Sequence, residues 1–301
     1  MSWIVVTLLS SAVLGMIGVL DKAFLYHYAR SHLTLPFLIG LGHIPIGIVF
    51  IAISPLDDLT FPAVGWSLAA GIFGGLGGVI FFRVVARREV SRAVPVTQTF
   101  PIFVAPMAVL FLGESLRIFD WFAILVTVAG AVMISIRQDA GGRGLVIDRS
   151  FYELLLASLL MACMNLAAKQ ALETLPVFLV HGLRSLGLVP MLLAFSVRRE
   201  SVDELRRMVA ERSPALAIFG VNEYVIANTG MILNLWATSL GPVSLVTALS
   251  ASTSLFLLVY SILLSLRFRN MLGEQVGRQA VIVKSVATTL IVVGVAVISL
   301  R

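Results

Sequence analysis

Apolar residues in this chain come in long unbroken runs separated by short polar links. Ten runs stand out: Trp3–Phe24, Leu35–Ile53, Gly65–Ala86, Val94–Leu112, Trp121–Ile136, Tyr152–Leu172, Pro176–Val197, Pro214–Thr238, Val243–Leu266 and Ala280–Leu300. A helix needs about 20 apolar residues to cross ~30 Å of hydrocarbon. The pattern therefore predicts an all-α integral membrane protein with ten transmembrane helices. Links such as Glu173-Thr174-Leu175 and Ser239-Leu240-Gly241-Pro242 leave no room for an extramembrane domain. The longest link is Arg198–Ser213. There Ser201 and Glu204 have capping-box spacing, and Val202, Leu205, Met208 and Val209 recur at helical spacing. A short amphipathic surface helix is expected.

Composition agrees with a chain housed in lipid. It is 59% hydrophobic and 13% charged over 301 residues, against about 25% charged in ordinary soluble domains. Disorder, collagen and coiled coil are excluded. The single cysteine, Cys163, excludes a disulfide framework and multi-cysteine metal sites. The net charge of +6 points to basic loops on one membrane face rather than to nucleic acid. Odd-numbered links carry fifteen arginines: Arg30, Arg87, Arg88, Arg92, Arg137, Arg143, Arg149, Arg198, Arg199, Arg206, Arg207, Arg212, Arg267, Arg269 and Arg278. Even links carry only Arg117, with acidic Asp57 and Asp58. Trp3, Trp66, Trp121 and Trp236 all fall at span ends opposite the arginines. By the positive-inside rule both termini lie outside a plasma (inner) membrane. The first span carries no basic leader and no A-x-A cleavage site, so it is expected to stay.

The chain repeats itself. Leu112-Gly113-Glu114 precedes span five and Leu272-Gly273-Glu274 precedes span ten. Gly130–Ser135 ends the fifth span as Gly294–Ser299 ends the tenth. Lys22 matches Lys169, and Leu35-Pro36 matches Leu175-Pro176. The halves are residues 1–140 and 150–301. Five spans is an odd number, so the second half is inverted, an arrangement that secondary transporters use around a midplane site.

With Ser91-Arg92-Ala93-Val94-Pro95 running to Pro101 before the first Leu-Gly-Glu turn, the chain resembles the drug/metabolite transporter superfamily, in particular its EamA-type members. The weaker second copy begins at Gly241-Pro242-Val243-Ser244. The resemblance covers the whole chain. It implies two five-helix repeats and export of small metabolites, with relatives that move nucleotide sugars, sugar phosphates or lipid-linked sugars. It also implies cytoplasmic termini, opposite to the arginine count.

An ionisable residue at mid-span costs about 3 kcal/mol or more, so each needs a reason. Glu223 in span eight shares an α-helical face with Ala227, Gly230 and Asn234, which suits a cavity wall. His181 and Arg184 share a face of span seven. Arg184 is either a fork for a carboxylate or phosphate or the partner of Glu223. Asn165 and Lys169 share a face of span six; Lys169 either contacts substrate or snorkels, and Lys22, beside Asp21, has the same choice. Arg83 and Lys284 are expected to snorkel. Gln98 sits between Pro95 and Pro101 at an expected bend, and His43 lies between Pro36 and Pro45. The candidate substrate site is thus Glu223, Arg184, Asn234, His181, Asn165, Lys169, Gln98 and His43. Gly71, Gly74, Gly75 and Gly78 form small-xxx-small pairs for close helix packing. Glu114 and Glu274 are expected to favour the positive N-terminus of the helix that follows.

No HExxH, GxSxG or CxxC constellation occurs. The reading is a non-enzymatic secondary transporter for a small polar metabolite, with no cofactor and no metal. A flippase for a lipid-linked anionic sugar is the alternative within transport. A membrane-embedded enzyme on lipid phosphates is the rival outside it. The bilayer, the small-molecule or lipid-linked substrate and a second copy of the chain are the candidate partners. For the orientation, a cysteine at Asp58 is expected to react with an impermeant thiol reagent added outside intact cells, and one at Glu204 is not. Reversed labelling would invert the topology.

Overall fold

The computed structural model describes residues 2–27, 31, 33–57, 59–85, 96–135, 149–267 and 278–299. The described residues form helices and turns, with no strand among them. In chain order they are α1 (Trp3–His27), α2 (Thr34–Ala52), α3 (Phe61–Val85), α4 (Phe100–Leu112), α5 (Ile118–Ser135), α6 (Arg149–Leu172) and α7 (Val177–Ser196). There follow α8 (Arg199–Ala210), α9 (Pro214–Leu240), α10 (Val243–Ser250), α11 (Thr253–Arg267) and α12 (Arg278–Ser299). Six stretches are long and apolar enough to cross a membrane: α2, Phe61–Val84 of α3, α6, α7, α9 and Val243–Tyr260 across α10 and α11. Shorter apolar helices occupy Trp3–Ile17, Phe100–Leu112, Ile118–Met133 and Ser285–Ile298. The second Leu-Gly-Glu turn, the 86–95 link and the side chains of Asp21, Lys22 and Lys284 lie outside the described residues.

Lipid offers no hydrophobic force between helices, so association depends on close packing of small residues. α3 lies against both α6 and α7, and α2 against α7. A Cβ on Gly71 of α3 would strike the Arg184 carbonyl oxygen and come within 2.8 Å of Gly187 Cα. Gly47 and Gly182 bring α2 and α7 together in the same way, each Cβ position 3.0 Å from the other's carbonyl oxygen. On the other side α5 packs on α12, α4 on α6 and α10, and α1 on α9 and α11. One buried cluster gathers Ala70, Ala167, Ala171, Leu179 and Val180; another gathers Ala105, Ile124, Val128, Leu249 and Ile298.

Two expected spans are not continuous helices. Pro101 does not kink α4 from within but opens it, in the first turn where a missing N–H does no harm. The preceding turn leaves carbonyls that Ser158 takes up: its hydroxyl donates to Val96 O at 2.8 Å. The ninth span is likewise interrupted at Ala251–Ser252, between α10 and α11.

The charged residues at helix ends also differ from expectation. Glu114 caps a helix of the other half: its carboxylate accepts from Val243 N, Ser244 N and Ser244 Oγ at the start of α10. The start of α5 is capped by Asp120, which accepts from Arg117 N at 2.8 Å. Glu204 does not close a capping box, because α8 begins at Arg199, before Ser201. It is buried and accepts from Ser31 N and Thr34 Oγ1 at the start of α2, where unpaired N–H groups attract a carboxylate. Asp203, which is exposed, is the better labelling position on α8.

Gly71→Val should lower thermal stability in detergent by about 1–3 kcal/mol, the range for overpacking, because the atoms it meets are backbone. Gly78→Val, whose nearest neighbour is 3.8 Å away, should stay near the parent. Equal melting temperatures for the two variants would refute the close contact.

Candidate functional site

Four buried polar side chains converge where α2, α7 and α9 meet. α9 is not uniformly α-helical: Val221–Ala227 forms a π-helical segment. Such segments leave backbone groups outside the usual i→i−4 ladder and occur often at functional positions. Here the Glu223 carbonyl accepts a hydrogen bond from Asn228 Nδ2 at 2.7 Å, five residues on. Asn228 Oδ1 accepts from His181 Nε2 of α7, also at 2.7 Å. The His181 ring stands edge-on to Phe50 of α2, centroids 4.9 Å apart.

The Glu223 carboxylate faces α2. Its Oε1 lies 3.2 Å from His43 Nδ1, which is also 2.9 Å from Ile39 O. Both neighbours are acceptors, so Nδ1 carries the hydrogen and donates to them. His43, Glu223, Asn228 and His181 are all buried. They form one chain of contacts from α2 through α9 to α7, across the two halves of the sequence.

Arg184 does not pair with Glu223. Among the described residues the Arg184 guanidinium forms no ion pair or hydrogen bond, although it lies within electrostatic range of His43 and His181. The α-helical face expected to join Glu223 to Asn234 is also interrupted. The π segment changes the angular register between them, so Glu223 meets α2, Gly230 packs on Leu14 of α1, and Asn234 donates to Ser250 Oγ of α10 at 3.0 Å. Gln98 does sit at the break before α4, and donates to Ser254 Oγ at 3.2 Å beside the break in the ninth span.

Two other candidates have partners of a structural kind. Asn165 donates to Met161 O on its own helix at 2.8 Å. Lys169 donates to Thr238 O at 2.8 Å and Gly241 O at 3.0 Å. Those carbonyls close the end of α9, where a cation complements the helix dipole. Lys169 and Glu114 thus hold the α9–α10 turn from its two sides. Asn228 was not among the candidates, because five residues is not an α-helical spacing. Ser185 was missed as an ordinary helical serine. Among the described residues no group of three or more His, Cys, Asp or Glu side chains is placed to hold a metal.

Asn228→Ala would leave His181 Nε2 buried and unpaired and remove the side-chain bond to the Glu223 carbonyl. It should lower stability by roughly 1–3 kcal/mol, the cost of one unsatisfied buried group. Thermal unfolding in detergent reads this. A parent-like melting temperature would mean that the bridge carries no load.

Comparison with known proteins agrees with this architecture. Residues 1–136 match the model of the EamA-like transporter family. An "Uncharacterized transporter in cobO 3'region" from Sinorhizobium sp is 29% identical over 77 residues, 25% of this chain. The match spans about half of that relative, 55% of its length. A solved crystal structure of a protein superposes with a TM-score of 0.70 over 99% of this chain and 96% of its own, at 18% identity. That likeness concerns the fold alone. Over residues 1–136 the chain is similar to the EamA-like transporter family, and its long apolar helices are those of an integral membrane protein.

Proposed function

We propose that the protein is a ten-helix secondary transporter made of two inverted five-helix halves, residues 1–140 and 150–301. It moves a small polar metabolite by alternating access, outward as the family resemblance implies. The observation that carries this reading is the buried chain His43–Glu223–Asn228–His181, which joins α2 of the first half to α7 and α9 of the second. Polar groups this deep in a membrane are expensive and belong to pathways.

The helix pairing supports the two-fold arrangement. Exchange each span with its counterpart five spans on, and α3–α6 becomes α9–α1, while α4–α6 becomes the packing of α10 and α11 on α1; all of these pairs occur. α2–α7 and α5–α12 map onto themselves and also occur. The α5–α12 contact is reciprocal in detail. A Cβ on Gly130 would meet Ile291 at 2.7 Å, and one on Gly294 would meet Thr127. Gly130 follows Thr127 by three residues as Gly294 follows Ile291, which is the self-complementary pattern of a two-fold contact. The breaks before α4 and between α10 and α11 are matched as well, and Gln98 spans them.

Midplane sites at such a repeat interface are where alternating access places its substrate. The working site is His43, Glu223, His181 and Arg184, with Asn234 and Gln98 toward the broken helices. The arginine-rich links face the cytoplasm of an inner membrane in this arrangement.

Glu223→Gln keeps an acceptor for His43 and removes only the charge. Proteoliposomes holding the parent are expected to accumulate some component of an isotope-labelled small-metabolite extract, identified by mass spectrometry. Glu223→Gln is expected to lose at least 10-fold in that uptake, with a melting temperature near the parent's. No accumulation by the parent would sink the transporter reading. Parent-like uptake by Glu223→Gln would remove Glu223 from the site.

A further inference from the structure

We propose that Arg184, together with Ser185 Oγ, receives an anionic group of the transported molecule, a carboxylate or a phosphate, beside His181 Nδ1, which accepts from a hydroxyl of that molecule. This rests on the transport reading above and names its substrate class.

The argument is an accounting of donors. A guanidinium carries five N–H donors. In hydrocarbon it must use them, because an arginine at mid-helix is costly without partners. Arg184 is the eighth of the twenty residues of α7, about 10 Å from the helix start at 1.5 Å per residue. Among the described residues none of its donors finds a protein acceptor. The one carboxylate expected to serve, Glu223, is engaged by His43 instead.

Two neighbours on the same helix face share this condition. His181, three residues before, has Nε2 committed to Asn228. Its Nδ1 is buried with no hydrogen-bond partner, and the residue is 0% exposed. Ser185, four residues after His181, has an unpartnered buried hydroxyl and is 2% exposed. Buried polar atoms are paired in the great majority of cases, so two unpaired buried atoms beside a guanidinium without a protein acceptor point to a ligand. Their chemistry selects its class. A guanidinium fork matches the two oxygens of a carboxylate or phosphate and a hydroxyl donates a further bond, while His181 Nδ1, with the ring hydrogen on Nε2, accepts from a hydroxyl of the same molecule.

The packing holds this face in place. Gly182 meets α2 and Gly187 meets α3 through backbone contacts. The two glycines bracket Arg184 and Ser185, so these side chains are set on a segment that cannot shift.

The test uses the purified full-length protein in nanodiscs, with thermal unfolding as the readout. Malate, glycerol phosphate and inorganic phosphate are the soluble anionic probes. Glycerol and spermidine are the neutral and cationic ones. Discs of phosphatidylcholine are compared with discs containing phosphatidylglycerol, which separates a free anion from a lipid headgroup. At least one anion source should raise the parent's melting temperature by about 2–4 °C, the shift a modest stabilisation produces in a chain of this size. Arg184→Gln should abolish that rise, and Arg184→Lys should keep part of it.

A second readout needs no ligand. An unpaired cation destabilises the empty protein, so Arg184→Gln without probe should melt at or above the parent. A clearly lower melting temperature for empty Arg184→Gln would make Arg184 a structural partner and overturn the proposal. So would a rise that persists in Arg184→Gln, or no rise from any anion source. Anion binding without uptake by proteoliposomes would leave this site standing and refute transport. Uptake of only a neutral or cationic solute would do the reverse.

Discussion

The backbone of α7 touches the backbones of two other helices, and the rest of the arrangement follows from that contact. Gly182 lets it meet α2 at Gly47, and Gly187 lets it meet α3 near Gly71. In lipid such approach is the main source of cohesion, because side chains gain little by leaving hydrocarbon for hydrocarbon. The contact also has a geometric consequence. It fixes α7 over the five residues that carry His181, Arg184 and Ser185 on one side. The polar groups of the centre are therefore held by glycines that have no polar chemistry themselves.

A second constraint acts at every helix end and break. Backbone groups that leave the helical ladder in a membrane need a partner within the protein. The protein meets this with side chains from distant segments. Glu114 supplies acceptors for the start of α10, Lys169 supplies donors for the end of α9, and Ser158 takes a carbonyl ahead of α4. Asn228 covers the carbonyl in the π segment and at the same time orients His181. Charges that look costly in the sequence thus divide into two kinds. Lys169, Glu114 and Glu204 serve helix termini, whereas the Glu223 carboxylate lies against the side chain of His43 on another helix.

The apolar helices were legible in the residues, six of them long and apolar enough to cross a membrane, because a stretch of about 20 apolar side chains has few other uses. The close packing of Gly71, Gly74 and Gly75 was legible as well, since small residues at helical spacing make a flat face, but Gly78, expected to pair with Gly74, has its nearest neighbour 3.8 Å away. The partners were not. Glu114 stands beside the start of α5 and was expected to serve it, but its carboxylate accepts from Ser244, 130 residues away at the start of α10. Glu204 has the spacing of a capping box and caps another helix. Arg184 and Glu223 are opposite charges expected to meet, yet no ion pair joins them, and the carboxylate lies against His43 instead.

What the sequence determined by itself is what each residue needs: apolar runs need lipid, a mid-span charge needs a partner or a task, and a chain end of a helix needs a cap. Which group meets each need was decided by tertiary structure. The seven-residue π segment illustrates the reason. It changes the angular register of α9 between Glu223 and Asn234, so the 3.6-residue rule that placed them on one face no longer applies. Periodicity is a property of a local chain and can be read from it. Contact across helices depends on where backbones approach, and that is set by packing among segments far apart in sequence.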